Sequence, residues 1–456
     1  MAVVSNARPT VAPPGPRLPV LVQTLLFGQY RHLLLPYLRR RYGDLFAVRI
    51  APAGRTVVLL ARPEDIRTVF AGPATVFHAG EGNAILGPIM GAHSVLLVDE
   101  DQHRRVRKLL MPAFHGPALR GYQDLVTRLA RAEVDRWPAG RVFRGHDRMH
   151  ALTLEIILQV VFGVTDPRRL AALRPLVRRI VAIGPLLMLG WFYPRLQRIG
   201  PWRRYIAVQR ALDDVLYAEI ADRRTADDLA DRDDVLSRLL RDDAAGSDAP
   251  LTDAELRDQL VTLLLAGHET TATALAWTLH ELARRPEQLR AAQRAADAHD
   301  EEYLTAVAKE ALRLRPVIYE VARKLKAPVE VGGHRLPAGA VVAPAIGLVQ
   351  ADAAHHPDPD DFRPSRFLDG QPPANTWIPF GGGVRRCLGA GFSLMEASVV
   401  LGEVLRRFDV HPDRLRPERQ RARNITLVPS RGARIAVTPR SRPTVTPRSP
   451  GRVADR

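Results

Sequence analysis

The stretch from Thr252 to Arg285 limits the possible folds more than any other part of the chain. Thr252-x-x-Glu255 is a capping box opening a long apolar run, and Pro286 closes it. Roughly 34 residues at about 1.5 Å each make a rod of roughly 50 Å, long enough to cross the molecule. Leu260, Val261, Leu263, Leu264, Leu265, Leu275, Trp277 and Leu279 fall on several faces, so the pattern predicts a central, buried helix. Into its middle is set Ala266-Gly267-His268-Glu269-Thr270-Thr271, where a glycine, a carboxylate and two threonines interrupt apolar packing together. Gly and Thr there can loosen the helical ladder and admit a water or ligand. Taken alone, the same residues would also suit one turn of polar surface.

A second feature is Cys387, the one cysteine of the chain, within Phe380 to Gly389. A lone thiol cannot form an internal disulfide or a Cys-rich zinc site. Most lone cysteines are small buried hydrophobes, but this one has an unusual frame. Gly381, Gly382 and Gly383 remove side chains before it, as suits a backbone approaching something large and flat. A helix is predicted from Ala390, so the thiol sits at a helix entry beside Arg385 and Arg386, where the thiolate is favoured. A metal-ligating thiolate is the reading these neighbours support.

The spacing Phe380-x-x-Gly383-x-Arg385-x-Cys387-x-Gly389 resembles the haem-binding signature of the cytochrome P450 family. The resemblance implies haem b, with Cys387 as axial ligand of the iron, Phe380 near the sulfur and Arg385 on a haem propionate. It also implies that Glu269 and Thr270 relay protons to the oxygen site, with Ala266 and Gly267 shaping the oxygen pocket. Glu310-x-x-Arg313 and the Arg366 of Pro364-Ser365-Arg366-Phe367 match the family's buried charged lock on the cysteine side. His103 and Arg107, one helical turn apart, and Arg323 match its propionate ligands. Four motifs in the family's order resemble it over nearly the whole chain. The departures are a Glu where Asp is common above the haem, and the lack of an arginine in Asp352 to Pro357.

The expected fold is therefore mainly α with a small β portion, the cytochrome P450 fold with a long helix over the haem. One domain is expected over residues 1–438, with a proline-rich lead-in at 1–20 and a disordered Pro/Arg-rich tail at 439–456. Helices are predicted at Arg31–Tyr42 and Tyr303–Leu314, and strands at Leu45–Ile50 and Arg55–Leu60. Short strands are predicted within Val329–Val342, and an exposed connection or a loosely held helix at Asp222–Pro250. No apolar run reaches the roughly 18–20 residues of a membrane span, and no secretory signal is evident, so a cytoplasmic, bacterial-type monomer is expected. The net charge of +17 rests on arginine, and no nucleic-acid signature accompanies it.

The resemblance implies a monooxygenase inserting one atom of O2 into a small molecule, of the kind used in secondary metabolism. The other class weighed is a haem-thiolate sensor or binding protein without turnover, which would not need the Glu269–Thr270 pair. The segments that contact substrate in the family are rich in Ile, Leu, Met, Trp and Phe here. They implicate a lipophilic substrate of terpenoid, fatty acid, steroid or polyketide type. Glu320 reads either as a polar substrate contact or as a solvated side chain. No flavin domain or iron–sulfur ligand set is found, so electrons are expected from a separate acidic ferredoxin (or flavodoxin) with its reductase. Its docking face would include Arg104, Arg105, Lys108 and Arg386.

Overall fold

In the computed structural model, residues 12–51, 54–163, 167–181, 194–244 and 250–440 are described. The central helix runs Asp253–Ala283, and its capping box is formed from both sides, with Thr252 accepting from the Glu255 N–H and the Glu255 carboxylate accepting from the Thr252 N–H. It is apolar nearly all round and buried along most of its length, as a core helix must be. The helix Gly145–Phe162 packs along it, and the helices Glu301–Leu314 and Ala390–Arg407 support it from the other side.

A small five-stranded sheet lies to one side, in the order Leu45–Ile50, Arg55–Leu60, Val341–Pro344, Arg323–Leu325, Phe77–His78. Its second and third strands run parallel and the other neighbours antiparallel. The sheet holds Arg323 opposite Val342, with its guanidinium over the Phe70 ring. The turn at Pro337–Gly339 uses a positive φ of 85° at Gly339, where glycine alone is unstrained.

Three segments differ in part from expectation. The expected helix Arg31–Tyr42 is present, and a further helical stretch from Val20 precedes it across a kink at Tyr30. Gln23 and Thr24, which interrupt the apolar run in sequence, turn inward and tie the helix to the first strand. Gln23 accepts the Arg49 N–H at 2.8 Å and Thr24 accepts the Ala51 N–H at 2.9 Å. Of the two alternatives for Asp222–Pro250, the helix is present, at Val235–Ala244, but it is firmly held, with Leu236 and Leu239 in the core. Beside it Arg223 makes a buried pair with Asp234 at 2.8 Å. At the C-terminal end the strand Arg434–Pro439 and Arg440 belong to the fold, because Arg440 pairs with Asp297 at 2.8 Å and its N–H donates to the Arg407 carbonyl. The remainder of the expected tail, 441–456, and residues 1–11 of the lead-in lie outside the described residues.

Candidate active site

The cysteine loop is closed by one hydrogen bond, from the Cys387 N–H to the Phe380 carbonyl at 2.9 Å. The Phe380 ring meets Trp377 edge-on, with centroids 6.0 Å apart. Two of the glycines before Cys387 are required bare by the protein itself. A Cβ on Gly383, whose φ is 64°, would lie 2.0 Å from the Phe70 carbonyl oxygen, and one on Gly382 would lie 2.3 Å from the Phe70 ring. Their bareness admits the helix Pro63–Ala71. At Gly389, by contrast, a Cβ would meet no protein atom within 4 Å. The Cys387 side chain is open on one side although protein encloses it in depth. Burial pushes its thiol up, outweighing the Gly389 N–H, Arg107 and Arg386. Within the protein alone, burial therefore works against the expected thiolate.

On the central helix the open positions are Ala266, which is exposed halfway along a buried rod, and the half-buried Gly267 and Thr270 near it. The Thr270 hydroxyl donates to the Ala266 carbonyl at 2.7 Å. Gly267 serves helix packing, since a Cβ there would come within 2.7 Å of Ile157 Cδ1. Thr271 and Ser393 hydroxyls, 3.3 Å apart, join the central helix to the helix that follows the cysteine loop.

Glu269 turns away from Thr270 toward the helix Gly145–Phe162. Its Oε2 lies 3.0 Å from His150 Nε2 and its Oε1 3.3 Å from the Arg423 guanidinium. Burial works against the charge, but the His150 hydrogen bond, Arg423 and His146 prevail and hold the carboxyl at about 2. His268 stands T-shaped to His150 at 4.7 Å and donates from Nδ1 to the Leu264 carbonyl. His146 bonds the Thr273 hydroxyl at 3.2 Å. Motif spacing identifies none of His146, His150, His268 and Arg423 as members of this cluster. The histidines at 146 and 150, one turn apart, are the only local signal that points to it.

A third group gathers beside the cysteine loop. His103 and Arg107 project from the helix Glu100–Leu110, Arg323 from the sheet and Arg385 from the cysteine loop. Arg385 is committed to Asp99 and to the Val95 and Val98 carbonyls. Asp99 is the one carboxylate in contact, and among the described residues no other carboxylate pairs with Arg107 or Arg323. Burial, and then Arg385, pushes Arg323 down to about 10; burial, Arg385 and Arg107 push His103 down to about 4. Such a cluster calls for anions.

Behind the loop, Arg313 makes a two-pronged pair with Glu310 at 2.8 and 2.9 Å, and Arg366 reaches Glu310 at 3.3 Å. Glu320 is neither solvated nor turned to the cavity, for it pairs with Arg31 of the first helix at 2.9 Å. Of the docking cations, Arg104, Lys108 and Arg386 are exposed, whereas Arg105 is drawn to Glu255 at 2.8 Å. Of the expected substrate-facing residues, Ile85 is exposed, Ile89 and Met90 are buried in the core, and residues 182–193 lie outside the described set.

Comparison with known proteins agrees with this geometry. The family described as "Cytochrome P450" matches residues 13–436. "Putative cytochrome P450 135A1" of Mycobacterium tuberculosis is 51% identical over 434 residues, covering 95% of this chain and 96% of the relative. "Putative cytochrome P450 135B1" of Mycobacterium bovis is 46% identical, covering 93% and 91%. The solved structure "Retinoic acid bound cyanobacterial CYP120A1" superposes with a TM-score of 0.81 at 23% identity, covering 94% of this chain and 100% of that one.

Proposed function

Because the chain belongs to the cytochrome P450 family, haem-thiolate monooxygenases with haem b as cofactor, we propose that it oxygenates a lipophilic small molecule with electrons from a separate acidic ferredoxin. The residues suit that cofactor. Cys387 offers an open sulfur beside the unfilled space at Gly389, and His103, Arg107 and Arg323 form a cationic cluster that two propionates would neutralise. Arg385 acts there jointly with Asp99. When bound, the haem iron supplies the activation of O2 and the one-electron chemistry.

The protein's own part is to position and to move protons. Thr270 presents a hydroxyl at the open face of the central helix, held by Ala266, and can hand a proton into the cavity. Glu269, ionised and clamped, is the carboxylate behind it. Glu310, Arg313 and Arg366 fix the frame that presents Cys387. Apolar Ile85 and Ile425, both exposed, favour a terpenoid, fatty acid, steroid or polyketide over a charged substrate.

The observation that carries the reading is a buried carboxylate, Glu269, one residue from a half-buried hydroxyl, Thr270, next to the exposed Ala266 on a central buried helix. A sensor needs neither. The test is turnover under 18O2 with ferredoxin and reductase: one labelled oxygen per product is expected, and ligand binding without product would mark a sensor. Exposed Arg104, Lys108 and Arg386 support the acidic partner, whose reduction rate should fall with salt and in Arg104→Glu with Lys108→Glu.

A further inference from the structure

The first helix shows its solvent side to no other part of the described protein, and that side is wholly apolar. Between Leu18 and Tyr37 the exposed residues are Leu18, Pro19, Leu21, Val22, Leu25, Tyr30, Leu33 and Tyr37, with no charged or amide side chain among them. Leu21 is 76% exposed, Leu25 61% and Leu33 62%, far above what scattered surface leucines need explain. The inward side is apolar too, with Leu35 and Leu38 packed on Phe46 and Leu59. Burial of the core therefore does not account for the outer leucines.

The charges around this stripe have one sign. Val20–Tyr42 contains no Asp or Glu, and exposed Arg17 precedes it while exposed Arg40 and Arg41 end it. Arg31 and Arg39 are not part of this set, being paired with Glu320 and with Asp44 and Asp352. The two helical stretches that meet at a kink at Tyr30, apolar on their open side, bearing tyrosines and bracketed by arginines, are built to lie in a bilayer interface. They are not built to cross one, and no helix among the described residues is long and apolar enough to do so. The protein's net +17 complements an anionic surface. A protein groove would have to match both stretches and the kink between them, whereas a lipid surface deforms around them.

We propose that the first helix docks this protein on anionic membrane, with Leu21, Leu25 and Leu33 inserted below the headgroups and Arg17, Arg40 and Arg41 against lipid phosphates. The inference stands independently of the reaction at the haem.

The test is co-sedimentation of the full-length, haem-loaded protein with phosphatidylcholine vesicles and with vesicles of phosphatidylcholine and phosphatidylglycerol. The protein should pellet with the anionic vesicles and do so less at high salt. Leu21→Ser with Leu25→Ser and Leu33→Ser should lower partition about tenfold or more while leaving the CO-difference spectrum unchanged. Arg40→Gln with Arg41→Gln should erase the preference for anionic lipid. Wild-type protein staying in the supernatant, or the serine variant pelleting as well as wild type, overturns the proposal. So does sedimentation equilibrium showing a dimer that the serine variant splits, without vesicle binding, because the stripe would then be a self-association face.

Discussion

Glu269 Oε2 and His150 Nε2 meet at 3.0 Å across the seam between the central helix and the helix Gly145–Phe162. The contact decides where the acid of the relay points when it is at rest, since Arg423 is its one other charged contact, at 3.3 Å. In His150→Ala the carboxyl should rise from about 2 toward its ordinary 4.5 and lose its fixed direction. Turnover should drop about tenfold to a hundredfold with substrate affinity unchanged. His150→Gln, which keeps an N–H donor, should recover much of the loss. Equal product per electron in His150→Ala and wild type would show that the clamp plays no part in the relay.

Thr270 donates its hydroxyl to the Ala266 carbonyl, so Thr270→Val removes the hydroxyl while keeping the side chain's volume. The variant should bind haem and substrate like wild type but send electrons to peroxide. The measurement is product and peroxide formed per NAD(P)H consumed. Thr270→Ser should stay near wild type, because it can still bond the Ala266 carbonyl. Wild-type coupling in Thr270→Val would remove the hydroxyl from the mechanism.

Acid sensitivity arises from His146 and His268, both held at about 4 against an ordinary 6.5, first of all by burial. Their folded values lie below their unfolded ones, so the unfolded chain binds more protons as pH drops. Their contribution is complete above pH about 6.5 and is lost progressively down to about 4, at up to about 1.4 kcal/mol per pH unit for each histidine. Glu269 adds a similar loss at lower pH, between 4.5 and about 2. Denaturant midpoints of the haem-loaded protein should therefore fall between pH 7 and 5. His146→Gln and His268→Gln should each flatten that slope by about one proton; an unaltered slope would place the acid sensitivity elsewhere.

What could be read in the sequence is what lies within a turn or two of chain. The Thr252–Glu255 box and the Glu310–Arg313 pair are local, so spacing alone reveals them. The partners of Glu269 and Arg385 are not, because His150 is 119 residues from one and Asp99 286 from the other. Motif spacing identifies such residues, but only packing says what they hold. The glycines show the same limit. Gly267 and Gly383 are legible as places without a side chain, yet the neighbours that demand this are Ile157 and Phe70, far away in the chain. Gln23 and Thr24 look like breaks in a helix because their partners, Arg49 and Ala51, lie on a strand that sequence does not place against them.

Glu310 and Arg313 are both sealed from solvent, with side-chain exposures of 0% and 1%. Glu310 also accepts the Arg363 N–H at 2.8 Å, and Arg313 donates to the carbonyls of Pro359 at 2.8 Å and Asp361 at 2.9 Å. The pair thus staples the helix Glu301–Leu314 to the segment leading into the cysteine loop. Glu310→Ala would leave a buried guanidinium without its counter-ion, at a cost of about 3–5 kcal/mol. Glu310→Gln should cost less, since one acceptor remains for Arg313 and Arg363. Arg366→Ala should cost only about 1 kcal/mol, because its contact with Glu310 is longer and its side chain partly exposed. Denaturant unfolding gives the ranking, and haem content after purification reports whether the loop still presents Cys387. Glu310→Ala costing no more than Arg366→Ala would mean that the frame is held by packing, with the ion pair incidental to it.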